Sequence, residues 1–225
     1  FDTTANFLGS IDDVRIYNRV LSAGEVTRLY EQSASTKINV SLNNQLTNGL
    51  VGQWSFNGQD VSGTTAYDRS GQGNNGTLTG GPSVTPGKIG QALSFDGNDD
   101  YVTVPDTAAL RMGNGSFAIS LWANPRNQNQ NRALLSKRYN GGNYTQYTLA
   151  ISGADSHLNL SGKKLTFAFI ETASSIERSG YTNADIADGA WHHIVVVADS
   201  VGDAIRVYID GISMAVTMAY TPGAW

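Results

Sequence analysis

The stretch that decides the fold is "FLGSIDDVRIYNRVLSAGEVTRLY", residues 7–30, near the start of the 225-residue chain. Its first part is typical of a β-strand, because apolar and polar residues alternate. Its second part predicts a short helix, since Ser22 and Glu25 have the spacing of a capping box. Val26, Leu29 and Tyr30 then share one helical face. A helix this short is not stable alone, so we expect it to lie against a sheet.

Most of the remaining chain has the period of two that is typical of β-strands. The segments are short, rich in aromatic or β-branched residues, and separated by Gly, Asn and Asp. We therefore expect an all-β fold of antiparallel sheets packed as a sandwich, with one short helix. The predicted strands are "LVGQWSF" (50–56), "ALSFDG" (92–97), "YVTVP" (101–105), "SFAISLWANP" (116–125), "RALLSKR" (132–138), "YTLAIS" (147–152), "KLTFAFI" (164–170), "WHHIVVVAD" (191–199) and "AIRVYIDG" (204–211).

Residues 33–49, "SASTKINVSLNNQLTNG", have the composition of a linker. The stretch is polar and weakly patterned, with Ser, Thr and Asn in excess. It separates residues 1–32 from residues 50–225, and these three ranges are the predicted divisions of the chain.

Several motifs resemble bacterial laminin-G-like domains of the concanavalin-A-like jelly-roll superfamily. In that family the segment similar to "IDDVRIYNR" follows the "VYIDG" hairpin, whereas here it comes before the first strand. The resemblance implies that residues 1–32 are the last strand and helix of such a domain. Residues 50–225 would then be a jelly roll that lacks its own last strand. The motifs are "GLVGQWSFNG", "AYDRSGQGNNGTL", "GKIGQALSFDGNDDYVTVP", "FAISLWANP", "DGAWHHIVVVAD" and "VYIDG".

Three arrangements explain this order. The chain can be a circularly permuted domain, in which residues 1–32 fold back onto residues 50–225. It can be one unit of a tandem repeat, cut from mid-domain to mid-domain. Residues 1–32 can also complete a neighbouring copy, which gives exchanged dimers or filaments. We favour closure within one chain, because its effective concentration is higher.

Composition excludes several classes of function. The net charge of −4 and scattered basic residues argue against a nucleic-acid partner. No apolar run is long enough to span a membrane. The absence of cysteine excludes disulfides, Cys-ligated zinc and thiol catalysis. A Cys-free composition rich in Gly, Asn, Ser and Thr favours a secreted or cell-surface bacterial protein, with a cytosolic protein as the alternative.

The resemblance also implies a structural calcium ion, which in related jelly rolls commonly bridges the early strands and the last one. Ca²⁺ prefers oxygen ligands from carboxylates, amides and the main chain. Mapped residue by residue, the ligands would be Asn57, Asp68 and Asn75 from the early part and Asp12 from "IDDV". The family usually has an acidic residue where Asn57 stands, so the change should weaken a cation site.

Strand alternation supports a special role for Asp12, because it puts this residue on the same face as Val14 and Ile16. That face is predicted to be buried. A buried carboxylate must be paired, hydrogen-bonded or coordinated to a metal. The alternative to a metal is that Asp12 only accepts backbone hydrogen bonds.

Two other patterns resemble metal sites more weakly. "DGNDDY" (96–101) resembles the start of an EF-hand loop but lacks the following Gly and the twelfth-position Glu, so we predict a solvated turn. His192 and His193 are adjacent on a predicted strand and therefore point to opposite faces. They cannot chelate one ion together.

Carbohydrate recognition needs aromatic rings surrounded by amides and charged groups. Two residues of "SLWANP" alternate on one side of a strand, and the loops 125–132 and 138–144 are rich in Asn, Arg and Tyr. In the alternative, these loops are ordinary turns and the tryptophan belongs to the core. The candidate sugar contacts are Trp122, Asn124, Arg138, Tyr139 and Tyr144.

A catalytic function is not supported by the acidic residues. Jelly-roll glucanases that the fold resembles carry Glu-x-Asp-x-x-Glu on one strand, and retaining chemistry needs two carboxyls about 5 Å apart. None of the four Glu residues begins that pattern.

We therefore expect a non-catalytic extracellular module for adhesion that binds a polysaccharide, within a repeat-containing surface protein. The alternatives are a structural spacer or filament subunit that binds neighbouring copies by strand complementation and, third, a glycoside hydrolase-like enzyme.

Overall fold

Three antiparallel sheets and one helix make up the described part of the chain. The structure is a computed structural model, and it describes residues 6–34, 46–113, 115–126, 131–138, 145–153, 163–170 and 177–220. The helix is α1 (Ala23–Ala34). The strands are β1 (Leu8–Tyr17), β2 (Leu50–Trp54), β3 (Val61–Ser62), β4 (Thr65–Ala66), β5 (Gly76–Thr79), β6 (Ser83–Pro86), β7 (Gln91–Asp96), β8 (Tyr101–Thr103), β9 (Phe117–Pro125), β10 (Arg132–Arg138), β11 (Thr145–Ile151), β12 (Lys164–Ile170), β13 (Glu177–Asp185), β14 (His192–Asp199), β15 (Ala204–Ile209), β16 (Ile212–Met214) and β17 (Val216–Tyr220).

The largest sheet is built around the amino-terminal strand. Its order is β16-β15-β14-β9-β1-β7-β6, and β2 also pairs with β1. One edge of β1 pairs with β9 over most of its length. The other edge is shared, because Leu8–Ile11 pair with β7 and Val14–Tyr17 pair with β2. The segment that the sequence predicts as a closing strand therefore pairs with strands of its own chain.

A β-bulge divides the two halves of β1. The register against β9 shifts between Asp12 and Arg15, and Asp13 has a positive φ of 45°. An extra residue of this kind bends a strand and redirects its side chains. Here the bend occurs where the pairing partner changes from β7 to β2, and both Asp12 and Asp13 are buried.

The main core lies between the large sheet and the two smaller ones, whose orders are β10-β11-β12-β13-β17 and β3-β4-β5-β8. Alternate residues of β9, including Ile119 and Leu121, meet Phe167 and Leu149 of the five-stranded sheet in one apolar cluster. Because strand side chains alternate between faces, the residues between them point to the other side of the large sheet.

Helix α1 covers that other side. Tyr17, Val26, Leu29 and Val195 form a second apolar cluster between helix and sheet. Leu46 joins this cluster and is buried, so the end of the predicted linker packs against the fold, while residues 35–45 lie outside the described residues. No helix in the described ranges is long and apolar enough to cross a membrane.

The predicted capping box begins α1. The Ser22 amide donates to Glu25 Oε2 at 2.9 Å, and the Glu25 amide donates to Ser22 Oγ at 3.3 Å. Arg19 adds an ion pair with Glu25 at 2.6 Å. The Arg19 hydrogen bonds and those from Ser22 lower the pKa of Glu25 to about 2, against the opposing effect of burial. The helix start is therefore tied to the turn that follows β1.

Candidate functional site

The carboxylate of Asp12 is buried where β1 changes partner. Asp12 is 0% exposed, and its Oδ2 accepts a hydrogen bond from the Ile89 amide at 2.7 Å. Among the described residues, its Oδ1 has no hydrogen-bond partner of normal geometry. Burial raises the pKa of Asp12 to about 7; the nearby Asp13 adds to this rise, and backbone amides including that of Ile89 oppose it. This carboxyl is thus poised to hold a proton or a cation.

Asn57, in the loop after β2, contacts the same turn, residues 87–91. Its Oδ1 accepts a hydrogen bond from the Gln91 amide at 2.6 Å. Gly90 has φ +72°, and a Cβ there would lie 2.1 Å from Asn57 Oδ1. A Cβ on Gly87 would lie 2.7 Å from Asp12 Oδ2. Asp12 and Asn57 therefore converge on a turn that needs glycine at both positions.

The other two predicted ligands lie in a different loop. Asp68 accepts four hydrogen bonds: from the amides of Gln53 (2.9 Å), Ser70 (2.8 Å) and Asn74 (2.9 Å), and from Ser70 Oγ (2.7 Å). Asn75 Oδ1 accepts from the Asp68 amide at 2.9 Å. Burial raises the pKa of Asp68, but these hydrogen bonds outweigh it and lower the pKa below its ordinary value. The carboxylate is used to fold the 68–75 loop.

The four predicted ligands thus form two pairs and not one set. Asp12 and Asn57 share the 87–91 turn, while Asp68 and Asn75 share the 68–75 loop. A calcium site needs six to eight oxygens. The orphaned, buried Oδ1 of Asp12 is the kind of oxygen that a cation would satisfy, so the pair at the 87–91 turn fits such an ion in part.

A cluster of three carboxylates lies in the turn after β7. Ligand oxygens of Asp96, Asp99 and Asp100 lie within 4.8 Å of one another. Asp100 Oδ2 accepts from the Asp96 amide at 2.9 Å, and Asp96 Oδ1 accepts from the Asn98 amide at 2.8 Å. Asp96 and Asp99 are exposed. These bonds describe a self-stabilised turn, in agreement with the solvated turn that the sequence predicts.

Trp122 is an interior residue and not a sugar platform. It is 1% exposed, and its ring stacks on Tyr30 with centroids 5.7 Å apart. Lys88 Nζ lies 5.0 Å from the ring centroid, and the His193 ring lies 5.0 Å away. The physical reason is that β9 is central in the sheet, so its outward face is covered by α1 and the 87–91 turn. Trp122 therefore belongs to the interior, which is the alternative to sugar binding that the sequence left open.

The remaining predicted sugar contacts do not gather around Trp122. Asn124 is half-buried near the end of β9. Arg138 ends β10, six residues beyond Arg132, which is roughly 20 Å along a strand. Arg132 lies at the Asn124 end, since its guanidinium donates to Asn6 O and Gly97 O. Tyr139 and Tyr144 lie outside the described residues.

Two aromatic side chains of the described ranges are strongly exposed, Tyr67 (37%) and Tyr101 (46%). The Arg69 guanidinium lies 5.9 Å from the Tyr67 ring centroid and pairs with Asp60. We call Asp60, Tyr67 and Arg69 the Tyr67 surface. Sequence reasoning missed it, although a tyrosine within the polar run "AYDRSGQ" was a usable signal.

The two histidines point to opposite faces, as predicted. His192 Nδ1 lies 2.8 Å from Asp210 Oδ2, and its Nε2 lies 3.1 Å from Asp188 Oδ1. Burial lowers the pKa of His192, but these two carboxylates outweigh it and raise the pKa. His193 is buried, with Nε2 3.0 Å from Ser120 Oγ, and burial lowers its pKa to about 4.

Carboxylates in the middle of the described strands are confined to β1. The sequences of β10, β11 and β12 contain no Asp or Glu. Asp13 forms an ion pair with Arg15 at 3.0 Å, and Asp12 and Asp13 are 0% and 7% exposed. A glycosidase needs two carboxyls that reach the same glycosidic bond, and this buried pair is not accessible to a sugar.

Comparison with known proteins assigns the fold. A laminin G-type family model, described as the concanavalin A-like lectin/glucanases superfamily, matches residues 96–224, more than half of the chain. The chain belongs to this superfamily. The resemblance of the sequence motifs and the predicted antiparallel sandwich are thus confirmed. Residues 1–95, including β1, lie outside the match, so the permuted order stays a proposal.

The chain is similar to a solved structure, the crystal structure of the binding domain of Paraclostridial Mosquitocidal Protein 1. The two are 14% identical, with a TM-score of 0.48, over 70% of this chain and 38% of that one. The chain thus spans well under half of that structure. No curated protein matches the sequence.

Proposed function

We propose that the chain is a non-catalytic, lectin-type binding module whose ligands are polysaccharides or other glycans. Membership of a superfamily of lectins and glucanases supports binding of sugars as the common element. The observation that carries the choice between lectin and glucanase is the position of the carboxylates. In the described strands the mid-strand acids, Asp12 and Asp13, are buried, and one is paired with Arg15.

The Tyr67 surface is the contact with sugar that we favour. An exposed ring next to a carboxylate and a guanidinium combines the stacking face and the hydrogen-bonding groups that sugars need. The loop residues Tyr139 and Tyr144 stay candidates from the sequence, together with Asn124 and Arg138. Trp122 is left out because it is buried.

We further propose that Ca²⁺ strengthens the fold at the 87–91 turn. Asp12 and Asn57 would supply side-chain oxygens there, and the ion would provide positive charge for the buried Asp12 carboxylate. The unpartnered Oδ1 supports this proposal. Such an ion would tie β1 to the turn before β7, so its effect would be on stability and not on chemistry.

The wider setting is also a proposal. We infer a secreted or cell-surface bacterial protein with an adhesive role, in which the chain is one of several repeats or a circularly permuted unit. The match to the superfamily supports an extracellular setting. Pairing of β1 with β9 of its own chain favours closure within one molecule over strand exchange between copies.

A glycan array with the purified chain tests the proposal. We expect saturable binding to at least one polysaccharide class, lost in Tyr67→Ala and kept in Tyr101→Ala, which removes the other exposed ring. If Tyr144→Ala or Tyr139→Ala abolishes binding and Tyr67→Ala does not, the chain binds glycans but the Tyr67 surface is not the contact. An array without signal from a folded protein points to a spacer. Release of reducing sugar from a bound glycan would overturn the non-catalytic assignment.

A further inference from the structure

A cavity of about 300 Å³ lies inside the sandwich, away from the Tyr67 surface and the 87–91 turn. Ile11 and Phe95 of the large sheet line it on one side, together with Phe7, which directly precedes β1. Val102, next to Tyr101 at the start of β8, and Leu134 of β10 line it on the other side. The lining is mainly aliphatic and aromatic.

The cavity opens between two unpaired sheet edges. In the described ranges β8 pairs only with β5, and β10 pairs only with β11. Both strands line the cavity, so its mouth lies between the four-stranded and the five-stranded sheet. Tyr101 and Ser136, which are exposed, mark the rim. A small molecule could therefore enter without unfolding the sandwich.

We propose that this cavity binds an uncharged, largely apolar small molecule. An apolar void costs stability in proportion to its volume. A cavity of about 150 Å³ with a similar lining stays dry and takes up benzene. A void of about 300 Å³ accommodates a molecule roughly twice as large, such as two fused rings or an acyl chain of similar volume.

The charges at the rim are already paired, which is why the ligand is uncharged. Lys137 and Arg111 both form ion pairs with Asp106. Asp100, which is buried, accepts a hydrogen bond from the Asp96 amide at 2.9 Å. An ionic ligand would have to break one of these contacts, whereas an apolar ligand only replaces empty space.

Side-chain contacts across the gap favour a small molecule over an added peptide strand. At the start of β10, Arg132 donates to the Gly97 carbonyl at 2.7 Å, on the chain before β8. At the end of β10, Lys137 pairs with Asp106, on the chain after β8. These two links bracket the opening. A peptide that paired along β10 would have to displace both.

Fluorescence titration with 1-aminonaphthalene, a probe with two fused rings that is uncharged at neutral pH, tests the proposal. We expect saturable enhancement with the wild-type chain. Ala133→Phe places a ring in the cavity and should weaken binding at least tenfold. Ala204→Phe is the matched control, because Ala204 is also a half-buried strand alanine but does not line the cavity. Its affinity should equal that of the wild type.

Circular dichroism melts accompany the titration, because a filled cavity should preserve or raise the melting temperature. If Ala133→Phe does not fold, Val104→Phe repeats the test from the other wall. The proposal is overturned if the folded wild type shows no saturable binding, or if cavity-filling and control variants bind alike. It is also overturned if extended peptides bind while the probe does not. None of these outcomes depends on glycan binding at the Tyr67 surface.

Discussion

From the residues that the structure describes, Asp12 accepts one hydrogen bond of normal geometry, whereas Asp68 accepts four. Both are carboxylates that the family resemblance names as calcium ligands. The four bonds lower the pKa of Asp68, whereas burial raises the pKa of Asp12 to about 7. The difference shows that a buried carboxylate stabilises a loop when its hydrogen bonds outweigh the cost of burial, and that it creates a demand for positive charge when burial outweighs them.

Isosteric substitution should give opposite signs at the two positions, and this is the largest effect that we expect. Asp68→Asn replaces an acceptor oxygen by a donor facing backbone amides, so it should cost about 3 kcal/mol. Asp12→Asn removes an uncompensated buried charge and should raise stability at pH 8 in EDTA. Urea unfolding measures both. A loss of stability at both positions would show that Asp12 is as well satisfied as Asp68.

Calcium should act through Asp12 and not through Asp68. At a Ca²⁺ concentration about 100-fold above Kd, binding to the folded state alone adds about 2.7 kcal/mol. EDTA should lower the melting temperature of the wild type, and added Ca²⁺ should restore it. The response should vanish in Asp12→Asn and persist in Asp68→Asn. If neither EDTA nor Ca²⁺ changes the melting temperature of the wild type, the proposed calcium site is wrong.

Between pH 5 and 6, in EDTA, the wild type should lose about 1.4 kcal/mol because of Asp12. The unfolded chain releases this proton near pH 4, whereas the folded chain retains it up to about pH 7. The folded state therefore binds more protons in that window, and stability falls as pH rises through it. Comparing the pH dependence of unfolding for the wild type and Asp12→Asn isolates the effect. Identical profiles would contradict it.

Asp68 titrates in the opposite direction, which separates the two carboxylates in the same experiment. Its folded pKa is lowered, so its contribution is present above pH 4 and is lost as pH falls through the folded pKa. The acid limb of the unfolding profile should therefore flatten in Asp68→Asn but not in Asp12→Asn. An unchanged acid limb in Asp68→Asn would contradict the four-bond arrangement.

His192 supplies the smallest expected effect, below about 1 kcal/mol, because its pairs with Asp188 and Asp210 are partly exposed. Its folded pKa is raised. The stabilisation is thus complete below pH 6.5 and is lost as pH rises through the folded pKa. His192→Gln should remove this loss from the alkaline side of the profile. A pH dependence between pH 6 and 8 that is the same in His192→Gln and in the wild type would contradict it.

Local pattern was sufficient for much of the fold. All nine strands predicted from alternation are present, with ends that shift by a few residues, and the capping box of α1 has the predicted bonds. The strands that alternation did not reveal are short or polar. β13, "ERSGYTNAD", carries almost no apolar residues but pairs with both β12 and β17. Its conformation is stabilised by its neighbours.

The candidate site was less predictable, because burial of a polar side chain depends on what covers it. Alternation correctly placed the side chains of His192 and His193 on opposite faces of the sheet. It could not predict whether the face that carries Trp122 is exposed to a sugar ligand or covered by a helix. The answer came from Tyr30 and Lys88, which are 92 and 34 residues away along the chain. Asp68 receives three of its hydrogen bonds from Ser70 and Asn74, which are close to it in the chain, whereas Asp12 receives its bond from Ile89, 77 residues away.

The sequence by itself determined that residues 7–30 form a strand followed by a capped helix, and that most of the rest forms strands. Periodicity and capping act over a few residues, so they can be read directly. Only the tertiary structure decided that β1 lies between β9 and the pair β2 and β7, with Asp12 at the point where its partner changes. Pairing between distant strands requires the whole sheet, and the burial of Asp12 follows from that pairing.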